Sequence, residues 1–292
     1  MTSSAQKQTA DAFGYQWQRT SAFDTPETRA MTRNWCLERY GDVARAPWWG
    51  EYGDRPRVLD AGCGAGLAAV EMFGPILHRI DYLGIDISDA YKVAIDRFAE
   101  RGLPGRFRQA DMTNMDEAFD VILAEGTLHH TDSTFGAMSA LTANLAPGGR
   151  FMFYVYRTKA PVREFTDDMI REKLQCLDPG QAWDALYPLS KLGAALGRLN
   201  IEIDVPEDIP LLEIPAGKID IQRFFYWYVC KAFYRPEYTL DEMNHINFDW
   251  FAPKNAHRQT TDQVRQWCAD LGLSIERLVE EQAGITVIAK RL

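Results

Sequence analysis

Val58-Leu59-Asp60-Ala61-Gly62-Cys63-Gly64-Ala65-Gly66 runs from an apolar strand pattern directly into three alternate glycines. Glycine accepts backbone angles closed to other residues and puts no side chain between main chain and ligand, so the stretch reads as strand, tight turn and bare loop. Leu67 to Phe73 then opens a helix, whose N-terminal amides face whatever lies against the loop. Alone, G-x-G-x-G also fits a nicotinamide or flavin site, or a purely structural turn. Asp60, two residues before Gly62, weighs against a dinucleotide: its charge repels a pyrophosphate and welcomes a cationic amino acid moiety, directly or through water.

Working outward, apolar runs alternate with amphipathic stretches, the pattern of a sheet covered by helices. Strands are predicted at Val58 to Ala61, Tyr82 to Ile87, Arg106 to Arg108, Phe119 to Ala124 and Arg150 to Tyr156. Helices are predicted at Leu67 to Phe73, Ala90 to Arg101 and Phe135 to Leu145, with a turn at Ala146-Pro147-Gly148-Gly149. Regular alternation stops from Arg157 to Trp250, then resumes with a helix from Thr261 to Leu271 and strands Ser274 to Val279 and Gly284 to Ala289. The reading is four parts: an N-terminal helical lid segment (1–56), an α/β core (57–156), a mostly helical insertion interrupted at Pro206, Pro210 and Pro215 (157–250), and the rest of the core (251–292).

The second strand ends in Asp86, 24 residues after Gly62, where a carboxylate accepts hydrogen bonds from ribose hydroxyls. After the third strand, Asp111 and Met112 offer an acceptor and an apolar side chain suited to an adenine; Asp111 equally suits a helix N-cap.

In Val58 to Gly66, Gly84-Ile85-Asp86, Ala110-Asp111-Met112, Phe119-Asp120-Val121-Ile122, Gly126-Thr127-Leu128-His129-His130 and Leu145-Ala146-Pro147-Gly148-Gly149, taken in this order and spacing, the chain resembles the class I S-adenosylmethionine (SAM) dependent methyltransferases. The resemblance implies a Rossmann-like seven-stranded sheet, mostly parallel with an antiparallel last strand, helices on both faces, and SAM across the C-terminal ends of the first strands. It implies that Asp60, Gly62, Cys63 and Gly64 face the methionine part, Asp86 and Ile87 the ribose, and Asp111 with Met112 the adenine. Glu125 would lie near the methionine part and the acceptor. After the fourth strand the chain reads Glu125-Gly126-Thr127-Leu128, not the Asp/Asn-Pro-Pro-Tyr/Phe of enzymes that methylate base or amide nitrogens, so it looks like the small-molecule branch.

Methyl transfer requires an in-line nucleophile in a dry site, so a cover is expected. Phe13-Gly14-Tyr15-Gln16-Trp17 qualifies, with Tyr15 and Trp17 near a sulfonium, or as rings docking a surface helix. The aromatic block Phe224-Phe225-Tyr226-Trp227-Tyr228 reads as an acceptor cavity, as plain core, or as a homodimer seam. Tyr156, Arg223, Tyr226 and Trp227 are the substrate-binding candidates. Basic residues such as Arg157, Lys159, Arg163 and Lys218 suit an anionic acceptor or a solvated face. An oxygen or nitrogen acceptor must lose its proton; the candidate bases are His129, His130, His245, His257 and Glu125, with His129, His245 and His257 as the catalytic candidates. No metal-ligand spacing is present, and no metal is expected.

Composition sets the outer limits. The 292 residues are 46% hydrophobic and 25% charged, enough for a packed core. A net charge of -9 is the wrong sign for a nucleic-acid protein. With no signal-peptide-like start, no long apolar run and an odd number of scattered cysteines (five), the chain reads as cytoplasmic, reduced and without a membrane partner. The expectation is a SAM-dependent methyltransferase acting on a small organic acceptor and releasing S-adenosylhomocysteine. The rivals are a catalytically silent SAM-binding protein that acts through an interface in the insertion, and a nicotinamide-dependent oxidoreductase.

Overall fold

Arg57–Ala61 (β1) is buried along almost its whole length, Asp60 included, as befits a strand with neighbours on both edges and helices on both faces. The computed structural model describes residues 3–19 and 25–292. Asp81–Asp86 (β2), Arg106–Gln109 (β3), Phe119–Glu125 (β4) and Leu145–Tyr156 (β5) run parallel to β1. Leu273–Glu280 (β8) and Gly284–Arg291 (β9) complete a seven-stranded sheet of order β3-β2-β1-β4-β5-β9-β8, in which the last strand, β9, is antiparallel to both β5 and β8. This is the Rossmann-like sheet expected from the sequence. The chain moves outward from β1 to β3 and then returns to β4 on the other side of β1. That reversal opens a crevice at the carboxyl ends of β1 and β4, where doubly wound sheets bind ligands.

Period-two alternation supplies two cores, one on each face. Leu59, Ala61, Ile122, Phe151, Phe153 and Val155 point into one. Val58, Val121, Leu123 and Met152, the residues between them, point into the other with Phe73, Leu77 and Tyr82. Helices Ser4–Gln18 (α1), Pro26–Tyr40 (α2), Leu67–Phe73 (α3), Ala90–Glu100 (α4), Thr134–Ala143 (α5) and Thr261–Asp270 (α10) belong to this unit, which comprises residues 1–157 and 255–292.

Residues 158–254 form a second compact unit. It contains Pro161–Leu174 (α6), Pro179–Leu199 (α7), Ile221–Tyr228 (α8) and Leu240–Phe251 (α9). The prolines predicted to interrupt helices lie instead beside and between two short antiparallel strands, Glu202–Val205 (β6) and Gly217–Asp220 (β7). Four residues are too few for alternation to announce a strand, so this hairpin escaped the sequence reading. A second correction concerns Ala146 to Gly149, predicted as a turn: they lie within β5, where the pairing with β4 shifts register between Phe119 and Val121. Among the described residues no helix is long and apolar enough to cross a membrane.

Phe151 is fully buried in the sheet's central core. Phe151→Ala is expected to lower the unfolding free energy of this unit by about 3 to 5 kcal/mol in urea titration, from lost burial plus the cavity left behind.

Candidate functional site at the carboxyl ends of the first strands

At the crevice, Gly62 and Gly64 adopt φ of 85° and 50°, left-handed values that disfavour any side chain. Close approach adds to the constraint: a Cβ on Gly62 would lie 2.4 Å from Thr127 Cγ2, and one on Gly64 3.3 Å from the Trp17 indole. The Gly62 and Cys63 amides donate to the Ile85 carbonyl at 2.8 Å each, fastening the loop to β2. Cys63 is buried, and burial pushes its thiol well up, so it acts as packing rather than as a thiolate.

Three carboxylates border this loop at the ends of adjacent strands. Asp60 Oδ2 accepts from the Tyr82 hydroxyl at 2.7 Å. Asp86 accepts from the Gly64 amide at 2.9 Å, the Ser88 amide at 2.8 Å and the Ser88 hydroxyl at 2.7 Å. Glu125 accepts from Trp35 Nε1 at 2.9 Å and from the Tyr40 hydroxyl. Burial is the main influence on each and favours the protonated form; the donors oppose it. Asp60 is pushed up to about 7, with Asp86 and Glu125 adding repulsion. Taken together, these are carboxyl groups short of solvation, suited to a ligand with hydroxyl donors and a positive charge that favours their ionised form.

Trp35, Tyr40 and Arg39 were not anticipated. They lie on α2, and the Arg39 guanidinium sits 3.2 Å from the centre of the Trp35 ring while pairing with Glu281. Nothing in the local pattern of α2 connects Trp35 to Glu125, 90 residues away. On α1, Trp17 packs on Gly64, and the Tyr15 hydroxyl accepts from Arg19 at 2.7 Å. The helix is also held in its N-terminal half by Thr9 Oγ1, which accepts from the Asn255 amide at 3.0 Å.

The remaining candidates divide between the two units. Asp111 accepts from the Thr113 amide and hydroxyl at 2.9 and 2.7 Å, the N-cap arrangement, and Met112 packs against the central core. The Ile87 carbonyl accepts from Gln109. His129 is fully buried, its ring 3.7 Å from that of Tyr156. The His257 amide donates to the His129 carbonyl, and His257 Nε2 lies 3.0 Å from the Thr131 carbonyl, so Nε2 carries the proton and Nδ1 is the basic nitrogen. His245 belongs to the second unit, packed on Trp183, and burial holds its imidazole down at about 4. Arg223 donates to the Tyr234 carbonyl, Tyr226 packs edge-on against Trp227, and Phe224, Trp227 and Tyr228 contribute to a small hydrophobic cluster. Among the described residues no group of three or more His, Cys, Asp or Glu is arranged to hold a metal ion.

Residues 54–193 match the family model of a methyltransferase domain. An uncharacterised protein of Synechococcus sp. is 34% identical over 133 residues, which are 43% of this chain and 31% of that protein. An uncharacterised methyltransferase of Mycobacterium tuberculosis is 33% identical over 106 residues, 35% of this chain and 51% of the relative. The chain thus spans between about a third and a half of the length of these curated relatives. The crystal structure of magnesium protoporphyrin IX methyltransferase from Synechocystis PCC 6803 with bound SAM superposes with a TM-score of 0.50 at 13% identity, covering 100% of this chain and 99% of that one. Residues 54–193 are thus similar to a methyltransferase domain, and the first unit has a Rossmann-like fold.

Asp60 makes a prediction about acidity. Its carboxyl keeps a proton up to about 7 in the folded chain, but loses it near pH 3.9 when unfolded. Unfolding therefore releases a proton between these values, and the Asp60 contribution to stability falls as pH rises from about 4 to about 7. Denaturant titrations of wild type and Asp60→Asn without ligand should show the variant gaining on the wild type across that window.

Proposed function

We propose that the chain transfers a methyl group from SAM to a small organic acceptor and releases S-adenosylhomocysteine. The observation that carries this reading is the set of three carboxylates, the buried Asp60 and the partly buried Asp86 and Glu125, around the bare Gly62–Gly64 loop. SAM brings a sulfonium, an ammonium and a ribose diol, positive charge and hydroxyl donors that suit these carboxyl acceptors. When bound, it supplies an electrophilic methyl group on a positively charged sulfur.

The residues divide the work by chemistry. Asp86 already accepts three hydrogen bonds, and a carboxylate has about four lone-pair sites, so one ribose hydroxyl finds an open site and a second competes with the Ser88 hydroxyl. Asp60 and Glu125 bind the cationic methionine part, where the new positive charge draws out their protons. Trp17, seated on the glycine loop, keeps water from it. Met112 and Asp111 serve the adenine, Asp111 with the acceptor capacity left beyond its Thr113 bonds. His129 and His257 are the base candidates of the first unit, His257 through Nδ1, and Tyr156 shares the His129 surroundings as a substrate-binding candidate. A buried neutral His245 serves the packing of the second unit, where Arg223, Tyr226 and Trp227 are the remaining acceptor candidates.

Calorimetric titration with S-adenosylhomocysteine, using NAD as the comparison, tests the reading. Saturable one-to-one binding of S-adenosylhomocysteine alone is expected, and binding of NAD alone would overturn it. Asp86→Ala should weaken S-adenosylhomocysteine binding by about 1.5 to 3 kcal/mol for each hydrogen bond to the charged carboxylate that is lost. Unchanged affinity would remove Asp86 from the site.

A further inference from the structure

Four cations of the second unit converge on one indole. Lys159 Nζ lies 5.4 Å, Lys231 Nζ 5.0 Å, and the guanidinium carbons of Arg163 and Arg171 5.4 and 4.5 Å from the centre of the Trp250 ring. Each of these four residues is more than nine-tenths buried, as is Trp250. They come from the start of the unit, from α6, from the segment after α8 and from α9, so the fold rather than a local run of basic sequence brings them together.

A single buried carboxylate, Asp167, stands against them, and its acceptor sites are largely occupied. Its Oδ2 accepts from Arg163 Nε at 2.6 Å and Trp250 Nε1 at 2.7 Å, and its Oδ1 from the Lys231 backbone amide at 3.1 Å. The other acids nearby lie at the partly exposed margin. Asp168 takes Arg171 Nη1 at 2.8 Å, Glu164 takes the Lys159 backbone amide at 2.6 Å, and Asp249 lies close enough to act on Lys231. Among the described residues, no acceptor hydrogen-bonds the Lys231 ammonium and no carboxylate lies within 4 Å of it; the Trp250 face is its contact. Burial, with Arg163 and Arg171 adding repulsion, holds that ammonium down at about 7, while Asp249 and Asp167 oppose. One aromatic face eases one or two cations; Arg163 and Arg171 have Asp167, Asp168 and the Tyr226 and Trp250 carbonyls as acceptors, which leaves the Lys231 ammonium with the ring alone.

We propose that this cluster is a binding site for one oxyanion, the carboxylate or phosphate of a small organic acid, with Lys231 as its principal charged contact. A carboxylate or phosphate oxygen beside Lys231 gives the ammonium a charged hydrogen-bond acceptor, which favours its protonated form. The site goes beyond the methyl-transfer reading and rests on it only where the bound acid is taken to be the methyl acceptor.

Calorimetric titration of the full chain with sodium benzoate and, separately, with sodium phosphate tests the proposal, at low ionic strength near pH 7.5 and in two buffers of different ionisation enthalpy. Saturable binding with proton uptake is expected, because an anion beside Lys231 favours its charged form. Benzoate alone points to a carboxylic acid, phosphate alone to a phosphorylated compound; either supports the site. Lys231→Met should lower the affinity by about tenfold or more and abolish the proton uptake. Absence of saturable binding for both anions, or unchanged affinity and uptake in a folded Lys231→Met, overturns the proposal. Should Lys231→Met fail to fold, the Lys231 resonance of lysine-labelled wild type is followed through its titration: an upward move with anion supports the site, and an unmoved titration overturns it. A parallel S-adenosylhomocysteine titration keeps the two readings separate, since failure of either ligand leaves the other result standing.

Discussion

Carboxyl groups drawn from water at adjacent strand ends are the constraint on which the first unit depends. Parallel strands covered on both faces bring Asp60 out of water and Glu125 partly so, and the reversal of strand order beside β1 places them at neighbouring strand ends. Every local feature at the crevice answers that situation. Tyr82 reaches across from β2 to Asp60, and Ser88 and the Gly64 amide turn toward Asp86. Trp35 and Tyr40 close on Glu125. The donors reduce the penalty without removing it, since all three carboxyls still lie above their ordinary range. A site left in that condition favours a ligand that brings positive charge and hydroxyl donors of its own.

The second unit presents the opposite sign. Around Trp250 cations outnumber buried carboxylates, and Lys231 is the member whose charge is hardest to hold. Each unit thus has its own electrostatic imbalance, acidic at the glycine loop and basic at the indole. The overall charge of -9 conceals both, because it averages over separate environments.

Much of the fold was legible in the sequence because its signals are local. Strand, glycine turn and helix follow one another within Val58 to Phe73, and period-two burial repeats from strand to strand. What remained illegible depends on distance or brevity. The hairpin of β6 and β7 has strands of four residues each, and the break in pairing beside Ala146 to Gly149 is a matter of register between two strands rather than of composition. At the site, Asp60, Asp86 and Glu125 could be named from their places after strands, whereas Trp35, Tyr40 and Tyr82 could not, because hydrogen-bond partners 22 to 90 residues apart leave no mark on a single sequence. The clustering of Lys159, Arg163, Arg171 and Lys231 was invisible for the same reason, although Lys159 and Arg163 stood out as basic residues.

The attachment of α1 and α2 has a consequence for the order in which this chain becomes native. Trp35 and Tyr40 wait for Glu125, Arg39 for Glu281, and Thr9 for Asn255, which is 246 residues further along. Contacts of such long span are closed late, since the loop entropy must be overcome before they contribute. During synthesis the glycine loop and its first two strands emerge well before β9 and the Asn255 segment. The anchoring of α1 by Asn255 and of Arg39 by Glu281 therefore follows the formation of the glycine loop and its first strands.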